Sequence, residues 1–235
     1  MHKVSTMLRV PKIQTITSVA GLRNHIAKLP THFQVDVVVV SPMTRTLETA
    51  VGLFGGDTVD VADGHKLLMR AQSEQEGVRT EQKAIVAQSS VPFIAHEACR
   101  EQTGLHPCDH RRTVSYYQHQ FPSIDFSLVE SDSDTLYDPM SREPNYSVVD
   151  RVWTFLKPER HIAVVTHAAF LRILSQCFEK DLREKYGTTA RDELVQEFRN
   201  CELRSIQLLD CEVNGASDGR CAYSHPGGEA LLQLT

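Results

Sequence analysis

The sequence has no long apolar run, no CxxC cysteine pair and no excess of positive charge. None of its apolar stretches approaches the ~20 residues that a transmembrane helix needs. No N-terminal run combines the charged, apolar and small-residue parts of a signal peptide. The 25 lysines and arginines are outnumbered by 30 acidic residues, so the basic surface typical of nucleic-acid binders is not expected. These absences predict a cytoplasmic protein with neither a nucleic-acid nor a membrane partner.

The cysteines indicate a reducing compartment. Their spacing matches neither a disulfide framework nor a zinc-binding motif, so reduced thiols are the simplest interpretation. An extracellular protein with disulfides is the alternative. The six residues are Cys99, Cys108, Cys177, Cys201, Cys211 and Cys221.

The composition is that of a globular protein, with 41% hydrophobic and 23% charged residues among 235. A chain of this length can bury the core of one α/β domain or of two small domains.

Two segments read as a buried strand followed directly by a helix. Residues 35–40 (VDVVVV) are typical of a buried strand, and Ser41 and Pro42 then resemble a helix start, with Ser41 as the cap. Residues 161–166 (HIAVVT) form the second strand candidate, and His167 leads into its helix. The apolar residues that define the two helices are Leu47, Val51 and Phe54 in the first and Phe170, Leu171, Leu174 and Phe178 in the second.

Other segments extend this alternation. Helices are predicted from Val19, with Leu22, Ile26 and Leu29 on one face, and over residues 146–156, with Val149, Trp153 and Leu156 on one face. Short strands are predicted at residues 91–95 and 203–209, whereas residues 57–90 read as mixed loop and helix. Alternating strands and helices predict a three-layer α/β/α sandwich with a mostly parallel central sheet.

Arg45 and His167 follow the two predicted strands at equivalent places. If the strands are neighbours, both residues meet at one edge of the sheet, beside helix N-termini that favour anions. An arginine next to a histidine in such a place suits a phosphate group, since the guanidinium matches its oxygens. A solvated Arg45 and a purely structural His167 are the alternatives.

Several motifs resemble the histidine phosphatase superfamily, in its phosphoglycerate-mutase-like branch. Residues 35–50 (VDVVVVSPMTRTLETA) are similar to the segment in which a strand runs into Ser-Pro-x-x-Arg, and residues 162–171 (IAVVTHAAFL) to the strand with the second active-site histidine. The signature continues, in order, with residues 99–101 (CRE), 104–109 (GLHPCD), 111–112 (RR), 121–126 (FPSIDF) and 200–204 (NCELR).

The resemblance implies a role for each matching residue. In this superfamily a histidine attacks a phosphoryl group, two arginines and a second histidine neutralise its oxygens, and an acid protonates the leaving alcohol. Arg45 matches the second phosphate-binding arginine, His167 the second histidine and Glu101 the general acid. Glu97 is the alternative acid, and a surface salt bridge to Arg100 or Arg111 is the alternative role of Glu101.

The first family segment has no match. It should supply Arg-His-Gly with the nucleophile, but no Arg-His pair precedes residue 35. We expect that an atypical N-terminal segment, residues 1–18, replaces the first strand; a pseudoenzyme is the second explanation. The lost strand would be central, so its neighbours are expected to expose an unpaired edge and to lower stability. Residues 19–210 then form the domain, with a polar insert over residues 57–138 and a tail over residues 211–235.

The resemblance implies phosphoryl transfer from a small phosphomonoester, with hydrolysis favoured over mutase action and with no metal or organic cofactor. A catalytically dead phosphate-binding or regulatory module is the alternative.

Residues 96–110 suggest two other kinds of site. His106, Cys108 and His110 would present three zinc ligands on one face of a strand, although no fourth ligand is evident. A nucleobase deaminase needs His-x-Glu and Pro-Cys-x-x-Cys. Here His96 directly precedes Glu97, and no second cysteine follows Cys108 at that spacing, so the deaminase interpretation fails.

Overall fold

A computed structural model describes most of the chain between residues 18 and 177 and short pieces outside it. The described residues are 5–6, 18–28, 35–60, 64–73, 81–88, 91–155, 162–177, 198–203, 207–210 and 230–233. Leu29, Leu156 and Phe178, which were predicted to lie in helices, fall outside these ranges, as does most of the predicted N-terminal segment and tail.

The described part of the chain contains five α-helices and ten strands. The described helices are α1 (Val19–Ile26), α2 (Thr44–Phe54), α3 (Val114–Gln120), α4 (Asn145–Phe155) and α5 (Ala168–Cys177). The described strands are β1 (Ser5–Thr6), β2 (Val37–Val40), β3 (Thr58–Val59), β4 (Leu67–Met69), β5 (Ala84–Val86), β6 (Phe93–His96), β7 (Ile124–Leu128), β8 (Ile162–Val165), β9 (Gln207–Asp210) and β10 (Ala230–Gln233). None of the described helices is long and apolar enough to cross a membrane.

The central sheet is parallel and has the order β7-β6-β2-β8. All four residues of β2 are buried, as expected of a strand that is covered on both faces. Val38 and Val40 pack into a core formed with α2 and α3, whereas Val37 and Val39 pack into a second core formed with α4 and α5. Because helices cover both faces of a mostly parallel sheet, the predicted α/β architecture is confirmed.

The strand β2 pairs directly with β8, from Val37 opposite Ile162 to Val40 opposite Val165. Its other edge pairs with β6. The two active-site strands are therefore direct neighbours, because the backbone groups of β2 and β8 hydrogen-bond to each other. Among the described residues β8 is the last strand of this sheet, so the expected unpaired edge beside a lost strand stays a prediction.

The insert differs most from its prediction. Instead of loop and helix, its described residues form an antiparallel sheet of order β3-β5-β4. The strand predicted at residues 91–95 is confirmed as β6, and the chain after it contains α3 and β7. The strand predicted at residues 203–209 is confirmed as β9, which pairs with β1 and β10 in a separate antiparallel sheet.

Two helix details were also wrong. The helix α2 begins at Thr44 with Met43 at the N-cap and no side-chain cap bond, so Ser41 and Pro42 precede the helix. In α4 the fully buried residues are Val148 and Val152, one position before the predicted Val149 and Trp153, which pack at the edge of the same core. In both helices the packing against neighbouring elements, and not the local sequence pattern, decides where the helix begins or which of its residues are buried.

Gly104 lets two loops approach each other closely. Its φ of +90° lies in the left-handed region, and a Cβ atom there would collide with the backbone oxygen of Ser141. The next residue extends the contact, since the Leu105 N–H donates to the Asp138 carbonyl at 3.0 Å. The loop after Glu101 is therefore held against residues 138–141.

We predict that Gly104→Ala lowers the free energy of unfolding by at least about 2 kcal/mol more than Gly64→Ala. Both glycines have a positive φ, but nothing lies within 4 Å of a Cβ atom at Gly64. The strain of placing alanine at a positive φ is therefore common to both variants. The difference between their free energies of unfolding reports the collision with the Ser141 oxygen. Urea unfolding of the two variants measures the difference, and equal losses would show that the loops separate at little cost.

Candidate active site

Arg45 and His167 meet at the carboxyl edge of the central sheet, where the sequence places them. Arg45 lies in the first turn of α2, and His167 directly precedes α5. The strands that lead to them are neighbours, and the Ser41 N–H still donates to the Val165 carbonyl at 3.0 Å beyond the last pair of the ladder. Ligands bind at this edge in open α/β folds.

The guanidinium of Arg45 is held by three groups. Its Nε donates to His167 Nδ1 at 3.2 Å, its Nη1 donates to the Cys108 carbonyl at 2.6 Å, and its Nη2 lies 3.6 Å from Asp109 Oδ1. The side chain is nevertheless 44% exposed. Arg45 is thus oriented by the protein and still reachable from solvent, which differs from a freely solvated arginine.

His167 is buried and both of its ring nitrogens have a partner. Nδ1 accepts from Arg45, and Nε2 lies 2.8 Å from the hydroxyl of Ser41. Burial, together with the positive charges of Arg45, Arg100 and Arg151, lowers the pKa of His167 to about 3. The ring is therefore neutral at physiological pH.

The start of a helix lies beside each of the two residues. The first backbone N–H groups of α2 and α5 have no acceptors within their own helices, and the helix dipoles place partial positive charge at these ends. Two such ends and one exposed guanidinium make this edge of the sheet attractive to an anion.

The structure distinguishes between the two candidate acids. Both carboxylate oxygens of Glu97 are occupied, by Arg111 Nε at 2.7 Å and by Arg100 Nη1 at 3.1 Å. The half-buried Glu101 accepts one hydrogen bond, from the Gln102 N–H at 3.1 Å. Within the described residues no ion pair reaches Glu101, so the alternative role given to it, a salt bridge to Arg100 or Arg111, is not observed. Glu101 also makes no hydrogen bond to Arg45 or His167.

A buried ionic network anchors the turn before Glu101. Arg100 is fully buried and binds Asp134 with two hydrogen bonds of 2.8 and 2.7 Å. Burial alone would raise the pKa of Asp134, but the hydrogen bonds from Arg100 and from backbone N–H groups outweigh it and lower that pKa to about 2. Arg111, also buried, binds Glu97 and four backbone carbonyls. The network joins residues 97–100 to residues 131–134.

Three residues of the site were not singled out from the sequence. Ser41 was assigned to helix capping, although it contacts His167. Asp109 is buried between Arg45 and Arg142, with its Oδ2 2.5 Å from Arg142 Nη1. Arg151 binds the carbonyls of residues 98, 100 and 101 and pairs with Glu143 at 2.7 Å. The position of Asp109 inside the GLHPCD motif was the available signal.

The zinc hypothesis does not fit the backbone. Residues 107–109 form a 3-10 turn instead of a strand, and the His110 ring packs on the ring of Tyr137. In the part of the chain that the structure describes, no group of three histidine, cysteine or acidic side chains is arranged to hold a metal ion.

A cavity of about 340 Å³ lies beside the Arg151–Glu143 pair. Thr103, Asp138 and Ser141 line part of it. Its acids already have partners, since Glu143 pairs with Arg151 and Asp138 accepts from Ser141 at 2.6 Å. It therefore offers no unpaired charge to an ion.

The fold defines an α/β protein in which an arginine and a histidine meet at the carboxyl edge of a parallel sheet. Comparison with known proteins identifies its family. The chain is 38% identical over 215 residues to a phosphoglycerate mutase-like protein of Arabidopsis thaliana, covering 89% of this chain and 76% of the relative. It is 34% identical over 211 residues to phosphoglycerate mutase-like protein 1 of the same plant, covering 87% and 72% of the two chains. The chain belongs to the phosphoglycerate-mutase-like branch of the histidine phosphatase superfamily. No protein-family model and no solved structure matches it.

We predict that His167 makes the fold less stable in acid. Its pKa in the folded protein, about 3, lies below the ordinary value of 6.5, so the unfolded chain takes up the proton first as the pH falls. This contribution to stability is complete above about pH 6.5 and is lost progressively toward pH 3. Between pH 7 and pH 5 the loss from this one residue is about 2 kcal/mol.

Urea unfolding at both pH values tests this prediction. In His167→Gln the pH-dependent loss should shrink by about that amount. The control is His106→Gln, because His106 is exposed and its side chain makes no cap hydrogen bond. An unchanged pH dependence in His167→Gln would mean that the ring titrates in the folded protein as it does in water.

Proposed function

We propose that the chain is a phosphatase-type member of its family that binds a small phosphomonoester through Arg45 and His167 and acts on it by phosphoryl transfer. One observation carries this proposal: an exposed guanidinium is hydrogen-bonded to a buried histidine where two helices begin. Hydrolysis is favoured over mutase action, and the chemistry requires neither a metal nor an organic cofactor. The relatives are named after phosphoglycerate mutase, and we extend to this chain the class of chemistry alone.

Arg45 would make the first contact with the phosphate. An arginine carries five N–H donors, and the three groups that hold Arg45 do not use them all. Because its side chain is 44% exposed, the remaining donors can meet an anion that arrives from solvent. Its planar head is already oriented, which reduces the entropy lost on binding.

Glu101 would serve as the acid that protonates the leaving alcohol. Glu97 is less suited, since one of its oxygens accepts from Arg100 and the other from Arg111, which leaves neither free to approach a leaving group. Glu101 has a single backbone donor and remains half-buried. The three carbonyl contacts of Arg151 hold the backbone that carries it.

A second candidate is binding without turnover, and the hydrogen bonds of His167 favour it. A histidine attacks phosphorus through a free ring lone pair. Arginine Nε can only donate, so it occupies the lone pair of Nδ1, and the neutral ring then carries its proton on Nε2. His167 therefore has no free lone pair, and it could not replace the nucleophile in this arrangement.

We predict that Arg45→Gln weakens the binding of inorganic phosphate at least about tenfold, because charge-assisted hydrogen bonds are lost. Isothermal titration calorimetry at low salt measures the dissociation constant. Arg70→Gln is the matched control, since Arg70 is also exposed and also donates to a backbone carbonyl, that of His119 at 2.8 Å. Equal weakening in both variants would reveal a non-specific charge effect, and no phosphate binding to the folded chain would refute the proposal.

Hydrolysis of a generic aryl phosphate separates the two candidates. The first expects turnover by the purified chain, in which water attacks phosphorus and Glu101 protonates the leaving alcohol. This turnover should disappear in His167→Ala, because Arg45 loses the ring that orients its guanidinium. The second expects phosphate binding with no turnover in either protein. Turnover that survives in both His167→Ala and Arg45→Gln would place the chemistry elsewhere on the chain.

A further inference from the structure

We propose that Ser41 is a positioning residue that, together with Arg45, holds His167 as the neutral tautomer with its proton on Nε2. The inference deepens the proposed function, because it concerns the same site and assigns His167 the part of a hydrogen-bond donor. It rests on three contacts and on the donor chemistry of the groups that make them.

The first step concerns Nδ1. Arg45 Nε lies 3.2 Å from this atom with donor geometry, and a guanidinium has no lone pair to accept with. Nδ1 must therefore be the acceptor and carry no proton. This excludes both the doubly protonated ring and the Nδ1–H tautomer for the arrangement in the structure.

The second step concerns Nε2. A neutral ring without a proton on Nδ1 carries it on Nε2, which lies 2.8 Å from the Ser41 hydroxyl. The Nε2–H group therefore donates, and the Ser41 oxygen accepts. Both residues are buried, with exposed fractions of 0% for Ser41 and 6% for His167, so this bond is shielded from water.

The backbone explains why Ser41 is available for this contact. Ser41 is the first residue after β2, and α2 begins only at Thr44, so its side chain does not cap the helix. Its N–H donates to Val165 at 3.0 Å, which keeps Ser41 beside the strand that leads to His167. The partner of Nε2 is thus placed by the sheet itself.

The surrounding charges agree with a neutral ring. The charged groups that act on His167 come from three elements packed around it: Arg45 from α2, Arg100 from the turn at residues 97–100, and Arg151 from α4. All three are cations, and together with burial they lower the pKa of His167 to about 3. A proton on Nδ1 would be repelled by the Arg45 guanidinium and would remove the hydrogen bond that Nδ1 accepts from Arg45 Nε.

Nitrogen NMR of the full chain labelled with 15N-histidine tests the inference without any substrate. Long-range proton–nitrogen correlations distinguish the two neutral tautomers from the charged ring, and the signals missing from His167→Gln identify those of His167. We expect a single Nε2–H pattern that is unchanged from pH 8 to pH 5. An Nδ1–H pattern, or a doubly protonated ring at pH 6, would overturn the proposal.

The role of Ser41 has its own readout, which is the exchange of the Nε2–H proton with water. We expect Ser41→Ala to speed this exchange at least about tenfold, since the buried proton loses its acceptor. Ser175→Ala is the control, because Ser175 is equally buried and its hydroxyl donates to the Leu171 carbonyl at 2.9 Å, away from the ring. Exchange that is equally fast in both variants would show that Ser41 acts only through packing.

The two proposals can fail separately. If inorganic phosphate does not bind while His167 keeps the single Nε2–H pattern, the proposed function fails and this inference stands. If phosphate binds but the ring shows the other tautomer, the site is real and the assignment of His167 as the Nε2 donor is wrong.

Discussion

Four parallel residue pairs join β2 to β8, and the candidate site depends on this pairing. Neither strand carries a catalytic group, since β2 consists of four valines and β8 of isoleucine, alanine and two valines. Their register places Val40 opposite Val165, so the residues that follow each strand leave the sheet side by side. Arg45 and His167 are 122 positions apart in sequence, yet their side chains hydrogen-bond to each other because of this register. The apolar cores on both faces of the sheet keep the two strands in place.

Around the carboxyl edge of the sheet, the buried arginines are neutralised by acidic residues close to them. Among the described residues, Glu101 is not part of these ion pairs. A buried ion costs several kcal/mol unless it is paired. Arg100 and Arg111 are both buried, and their neutralisation consumes Glu97 and Asp134. Glu101 follows Arg100 directly but belongs to none of these pairs. Its carboxylate accepts from the Gln102 N–H and is not held by Arg100 or Arg111, so of the two candidate acids it is the one that could approach a leaving group.

The sequence predicted the features that depend on local pattern. The aliphatic run before Ser41 identified a strand buried on both faces, and the motifs around Arg45 and His167 located the meeting point of two strand ends. The insert was read less well, because its strands are two or three residues long and acquire their regularity from antiparallel partners. Ser41 was misread for a similar reason. A serine before a proline suits a helix cap by local rules. In the folded protein, however, the Ser41 hydroxyl hydrogen-bonds to the ring of His167 and does not cap the helix.

The protonation state of His167 could not be predicted from the sequence, because it depends on residues that only the fold brings together. An unperturbed histidine titrates near neutral pH, and nothing next to His167 in the chain is charged. Its three cationic neighbours come from positions 45, 100 and 151, so the neutral ring is a property of the tertiary packing. The same packing links the ring to the proposed anion site. If an anion binds at Arg45 as proposed, its charge would weaken the repulsion that keeps the ring neutral, and by reciprocity a proton on the ring would strengthen the binding of that anion. Under the proposal, anion occupancy and the charge of His167 are therefore coupled through Arg45.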